Sequence, residues 1–189
     1  MPSSELHPAE PDDRVLLRRF QDGDAAALRI FLDRYADGLA LYMGALLRDR
    51  QAGFDALHDL VILLARKIGS FTAAENVRKY LFAAAANVAM ERRRAETREQ
   101  RAKTALRDES PLVTPSDPAR AAAGAEEARR VSRALVGLPE ADREVVILHV
   151  YEEFTFQDIA DMTGKPLSTV HLHYQAALQK LRASITGGK

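Results

Sequence analysis

The chain has 189 residues, with 27 Lys plus Arg balanced by 27 Asp plus Glu and no cysteine. The length suits two small helical domains, and the balanced charge leaves any nucleic-acid argument to the distribution of charge along the chain. The lack of cysteine excludes disulfides and thiolate metal sites and fits a reducing cytoplasm. The opening MPSSELHPAEPDDR has no apolar centre of the kind a signal peptide needs, and no apolar run approaches the roughly 20 residues of a membrane span. Abundant Ala, Leu and Arg with little β-branched alternation predict an all-α protein, soluble and without membrane insertion.

Residues 1–11 are rich in Pro and Ser and are expected to be disordered. From Asp12 a helical rhythm begins with Val15, Leu16, Arg19 and Phe20, and Gly23-Asp24 breaks it. Asp24 suits the cap of a second, long helix with Leu28, Phe31, Leu32, Tyr35, Leu39, Tyr42, Met43, Leu46 and Leu47 on one broad face. Gly53 and Asp55 mark the next stop and start, which predicts a third helix over 55–68. That helix is apolar nearly all round. It either lies at the centre of its domain or gives one face to a partner.

Gly69-Ser70 ends it, and residues 71–94 read as a loop followed by an alanine-rich helix with Tyr80, Leu81, Ala84, Ala85 and Val88 turned inward. Seven basic residues between 92 and 107 face few acids. A solvated helix end, where cations suit the dipole, accounts for some of them. A triple arginine exceeds that need and suggests phosphate contact. Residues 108–125 carry three prolines and no periodicity, which predicts a flexible linker. A second helical unit spans 126–185, with Ala128, Val131, Leu135 and Val136 on its first apolar face.

Within that unit, Pro139 suits a first helical turn, and Glu140, Asp142 and Glu144 suit its positive end. Thr155 is placed to cap a short helix, with Asp158 three residues on as a capping box. Gly164 suits a left-handed helix end, and Pro166 opens another helix. This spacing predicts a helix-turn-helix whose second helix enters a DNA major groove. Val170, Tyr174, Ala177, Leu178 and Leu181 supply its inward rhythm.

The order of these parts resembles a bacterial RNA polymerase sigma factor of the small extracytoplasmic-function type in the sigma-70 family. The residues that carry it are Leu138, Pro139, Glu140, Arg143, Glu144, Val145, Ile159, Ala160, Gly164, Pro166, Thr169, Val170, Ala177, Leu178, Lys180, Leu181 and Arg182. A second stretch adds Asp55, His58, Asp59, Phe71, Tyr80, Leu81, Ala85, Asn87 and Arg92 to Arg94. The resemblance covers about 12–105 and 126–185. It implies two small helical domains. Residues 12–107 would bind core polymerase and the −10 element, and 126–185 would read the −35 element.

It further implies polymerase contact through Asp55, His58, Asp59, Ile62, Leu63 and Arg66. The −10 strand would meet Asn76, Arg78, Lys79, Asn87, Arg92, Arg93 and Arg94, with a flipped base captured between about 71 and 80. The −35 duplex would meet Lys165, Ser168, Thr169, His171, Leu172, His173 and Gln175. The implied partners are core RNA polymerase, promoter DNA and an anti-sigma factor, with no cofactor, no metal and no enzymatic step.

This chain departs from the family where the recognition helix usually carries Lys and Arg. Here His171, Leu172, His173, Tyr174, Gln175 and Ala176 follow the Thr-Val pair, and no permanent cation comes before Lys180. Weak duplex binding at neutral pH is expected, because phosphate contacts supply much of the affinity. Leu172 should point outward, toward a thymine methyl or a protein. Ala65 and Ala86 stand where an aromatic and a basic residue are usual. His171 and His173, two apart, should splay to different sides of the helix and not share a metal. A sigma-like adaptor with little autonomous DNA reading, or a helix-turn-helix regulator acting without polymerase, are the alternatives. The two domains of the free protein should be either mobile or packed together with their DNA surfaces hidden.

Overall fold

The computed structural model describes residues 11–102 and 134–186. The expected disordered terminus, the linker 108–125 and the start of the second unit, with Ala128 and Val131, lie outside the described residues. Among the described residues there are helices and turns and no strand. Helix α1 is Asp13–Gln21, α2 is Ala25–Leu47, α3 is Arg50–Arg66, α4 is Ile68–Ala73 and α5 is Val77–Ala102. The second unit holds α6 (Glu140–Val146), a π-helical turn at Ile147–Tyr151, α7 (Phe156–Thr163) and α8 (Leu167–Thr186).

Local sequence accounts for most of these boundaries. Asp12 caps α1 by accepting from Arg14 N, and Asp24 caps α2 by accepting from Ala26 N and Ala27 N. Arg48 closes α2 in the left-handed region at φ 57°. Asp49 then caps α3 through Ala52 N, so α3 starts at Arg50 and not at Asp55 as the glycine suggested. Gly53 lies inside α3. A Cβ there would fall 2.6 Å from both Cα and N of Gly44, so this glycine lets α2 and α3 touch backbone to backbone.

Two more expectations change. Gly69 and Ser70 do not end the helical path; they belong to α4, which buries Phe71. The presumed loop over 71–80 shrinks to the turn 74–76. Tyr80 is not turned fully inward. It is 40% exposed and meets the Phe71 ring edge-on, with centroids 4.8 Å apart.

The core answers the question left by the all-apolar α3. Ala56, Leu60 and Leu64 are buried, while Phe54 and Ile62 stay 42% and 40% exposed. One face packs and the other remains available. The larger core cluster runs through both units: Leu16, Phe31, Tyr42, Leu64, Phe71 and Phe82 share it with Val145, Leu148, Phe154 and Val170. A smaller cluster holds Leu135, Leu138, Val146 and Ala177. The two helical units are therefore packed against each other, as one of the two expected arrangements had them, but the outward face of α8 is left exposed and not hidden.

The π-helical turn does much of the joining. Glu152 N bonds to Ile147 O at 3.1 Å, a five-residue step, and Phe154 N reaches Leu148 O at 2.9 Å. Such a widened turn re-aims the side chains that follow. Phe154 lands edge-on against Phe82 of α5, with centroids 5.3 Å apart. Such a pair contributes about 1 kcal/mol beyond its buried area. From α6, the buried Arg143 donates to Ala45 O of α2 at 2.8 Å and to Leu138 O at 2.9 Å.

Candidate nucleic-acid and polymerase interface

The helix-turn-helix forms as its local signals predict. Thr155 caps α7, accepting from Asp158 N, while the Asp158 carboxylate accepts from Thr155 N, the reciprocal capping box. Gly164 ends α7 at φ 66°. Val170 and Ala177 of α8 are buried, and Tyr174 and Leu181 pack beside them. Ser168, His171, Leu172 and Gln175 face outward, and Leu172 is 68% exposed. Thr169 is half-buried.

The basic side chains near this helix are already engaged. Lys165 Nζ lies 2.6 Å from Glu144 Oε2. Asp142 takes His173 Nδ1 on one oxygen at 2.8 Å and Lys180 Nζ on the other at 2.6 Å. Burial pushes the Asp142 carboxyl up, but the Lys180 and His173 hydrogen bonds outweigh it and hold it below the usual carboxylate range. His171 instead lies against Phe156, with centroids 4.3 Å apart, so the two histidines do diverge. Phe156 stacks on its other side against His149, whose Nδ1 is 2.8 Å from Phe154 O. His149 is a packing group.

At the first unit, the expected −10 residues split. Asn76 caps α5, its Oδ1 accepting from Lys79 N at 2.9 Å. Arg78 Nη2 donates to Glu152 O and to Glu152 Oε2, the latter at 3.1 Å, and its guanidinium lies 4.3 Å from the Phe154 ring centroid. Lys79 Nζ pairs with Asp161 at 2.5 Å and with Asp158 at 3.3 Å. Arg93 pairs with Glu140. Three of the expected strand-binding cations thus hold carboxylates of the second unit. Asn87 and Arg94 are exposed. A crevice of about 650 Å³ lies between the units, lined by Asn76, Lys79, Tyr80, Asp158, Asp161 and Met162 among others.

Arg14 is a group the sequence did not flag. From α1 its Nη2 donates to Ala74 O at 2.7 Å and Glu75 O at 2.6 Å. It clamps the turn between α4 and α5 beside Asn76. The partners are 60 and 61 residues apart, so no local pattern could reveal it.

On α3, Phe54, His58 and Ile62 are exposed at four-residue intervals, a single stripe. The Arg50 guanidinium covers Phe54 at 5.2 Å from its centroid. Asp59 and Asp55 flank the stripe and pair with Arg92 at 2.7 and 3.8 Å. Here an expected polymerase contact and an expected DNA contact hold each other. Leu63 is half-buried against the core, off the stripe, and Arg66 is exposed.

Residues 128–181 match the family model described as "Sigma-70, region 4". That segment of the second unit is a sigma-70 region 4 module. No curated protein matches its sequence. Among solved structures it is similar to the sigma factor RpoE from Bartonella quintana, in complex with the anti-sigma factor NepR. The two share 20% identity at a TM-score of 0.73, over 86% of this chain and 98% of that one. It is also similar to CnrH in complex with the cytosolic domain of CnrY, at 19% identity and a TM-score of 0.65, over 94% of this chain and 99% of that one. At such identities the likeness establishes the fold. No helix among the described residues is long and apolar enough to cross a membrane, and no cluster there could hold a metal ion.

Proposed function

We propose that this chain is a sigma-70 family factor that binds core RNA polymerase in the cytoplasm and directs it to promoters. The observation that carries this is the region 4 match on a formed helix-turn-helix whose outward face holds Ser168, His171, Leu172 and Gln175. The first domain, 12–107, would bind polymerase through the Phe54, His58 and Ile62 stripe with Asp55, Asp59 and Arg66. The strand of the melted −10 element would run along the start of α5, past Asn76, Arg78, Lys79 and Asn87, toward Arg92, Arg93 and Arg94. The second domain, 126–185, would read the −35 duplex. Joining two weak modules raises their effective concentration once both engage the same complex. The chain's own residues bind and position; no covalent step is assigned to them. An anti-sigma factor is the expected regulator, as one accompanies RpoE in the similar structure.

One observation favours the adaptor reading as runner-up. Lys165, His173 and Lys180 are all tied to acids of α6, so the recognition helix offers duplex phosphates little free charge. Capture by core polymerase followed by transcription from a pool of genomic fragments separates these readings. Initiation at discrete sites supports the sigma factor. Polymerase capture without initiation supports the adaptor. Failure to bind polymerase sinks both and leaves the stand-alone helix-turn-helix regulator.

A further inference from the structure

The second domain is acidic for a module that reads DNA. Its described residues, 134–186, carry seven Asp and Glu against four Lys and Arg, where a basic surface is the usual footprint. Several of those acids sit on one target. Glu152 engages Arg78, Asp158 and Asp161 engage Lys79, and Glu140 engages Arg93. The contacts follow the first turn of α5 and resume lower on the same helix. Their N–O distances at Lys79 and Arg78, 2.5 to 3.3 Å, are those a phosphate oxygen would make.

We propose that the surface of α5 formed by Arg78, Lys79 and Arg93 binds the backbone of single-stranded nucleic acid, and that carboxylates of the second domain occupy it in this closed form. Glu152, Asp158 and Asp161 take the places of phosphates, so closure and strand binding exclude each other. This rests on the reading of α5 as the −10 surface and adds a competitor to it. The arrangement has a specific support. Gly38 of α2 leaves the space that the Glu152 carboxylate fills, since a Cβ there would overlap it. The acid has a seat in the first domain beyond its cation.

Breaking one ion pair from either side gives the test. Asp161→Asn removes the shorter of the two ion pairs that Lys79 makes with α7 and leaves the one to Asp158, whereas Lys79→Ala removes both and with them a strand-binding cation. The chain has no cysteine, so Arg18→Cys in α1 and Gln179→Cys in α8, both exposed positions, can carry a dye pair that reads the separation of the domains. A labelled oligothymidylate at low salt reads strand binding on the full chain. Both variants should lower energy transfer, Lys79→Ala the more. Asp161→Asn should then bind the oligonucleotide about threefold tighter, the scale of one exposed ion pair, and Lys79→Ala should bind it more weakly.

Energy transfer unchanged in both variants overturns the proposal, and so does opening by Asp161→Asn with unchanged affinity. The double variant Asp158→Asn, Asp161→Asn, which takes both carboxylates from Lys79, separates the two layers. If it opens yet binds no oligonucleotide, the α5 surface does not take nucleic acid, and the underlying reading fails together with the inference. If opened and closed chains bind equally well, only the competition fails.

Discussion

The cations at the start of α5 and those beside the recognition helix α8 are both held by carboxylates, but by carboxylates in different places. Arg78 and Lys79 hold acids of the other domain. Lys165 and Lys180 hold Glu144 and Asp142, acids of their own domain, and His173 hydrogen-bonds to the same Asp142. Separating the domains frees the first set and leaves the second as it is. On the proposed function, weak −35 affinity would be built into the second domain, whereas the −10 surface would be limited by how the domains sit together.

Arg143 tests both sides of this comparison at once, because it ties α6 to Ala45 of α2 and to Leu138 of its own domain. Arg143→Ala leaves two buried carbonyls without that donor and opens a cavity. The cost should be on the order of 3 kcal/mol. Thermal unfolding should shift down by roughly 10 °C. Asp142→Asn acts on the recognition helix alone. It should cost about 1–2 kcal/mol, since the acid is buried while Lys180 is half exposed. Lys180, released from its anion, should raise duplex affinity roughly threefold at low salt. The separation of the domains should not change. A change in energy transfer between the domains would show that the two sets of cations are not independent.

How much of this was legible in the sequence depends on the range of each interaction. The Thr155 and Asp158 box, Gly164 and the Asp24 cap act within one turn, so the residue types reveal them. Gly53 was misread because a glycine that ends a helix and one that admits a neighbouring helix look alike until the neighbour, Gly44, is known. Of the candidate site, the outward face of α8 followed from the apolar rhythm of Val170, Tyr174 and Ala177. The partners of Arg78 and Lys79 did not, because they lie 74 and 82 residues away. The π-helical turn that delivers Glu152 and Phe154 breaks the 3.6-residue period on which such a reading relies.

Gly38→Ala breaks the comparison from the other direction, with a smaller effect. The added methyl displaces the Glu152 carboxylate and with it the Arg78 pair. Alanine also favours α2 by about 1 kcal/mol over glycine. Thermal stability of the first domain should hold or rise slightly while energy transfer across the domains falls. Loss of both together would mean that Gly38 serves the fold of α2 and not the seat of Glu152.

Acid sharpens the comparison with the smallest effect, and its sign can be worked out. The Thr155 hydroxyl, then Lys79, holds Asp158 below its ordinary 3.8, and Lys79, then Gln157, does the same for Asp161. The part of this depression that Lys79 supplies across the domains stabilises closure above 3.8 and is lost as the pH falls through the lowered values, while the Thr155 part belongs to the cap of α7 and does not bear on closure. Glu152 works the other way. Burial lifts it above its ordinary 4.5 despite Arg78, so its proton uptake favours the closed form as the pH falls toward 4.5. Energy transfer between the domains should therefore hold or rise slightly from neutrality to 4.5 and fall below 3.8. Asp142 is depressed within the same window, but its contribution belongs to the second domain's own fold. The far-ultraviolet helix signal of an Asp142→Asn chain should lose this part of its acid sensitivity while the domain separation keeps its own. If acid opened the domains well above 4.5, the contacts that hold them would not be these carboxylates.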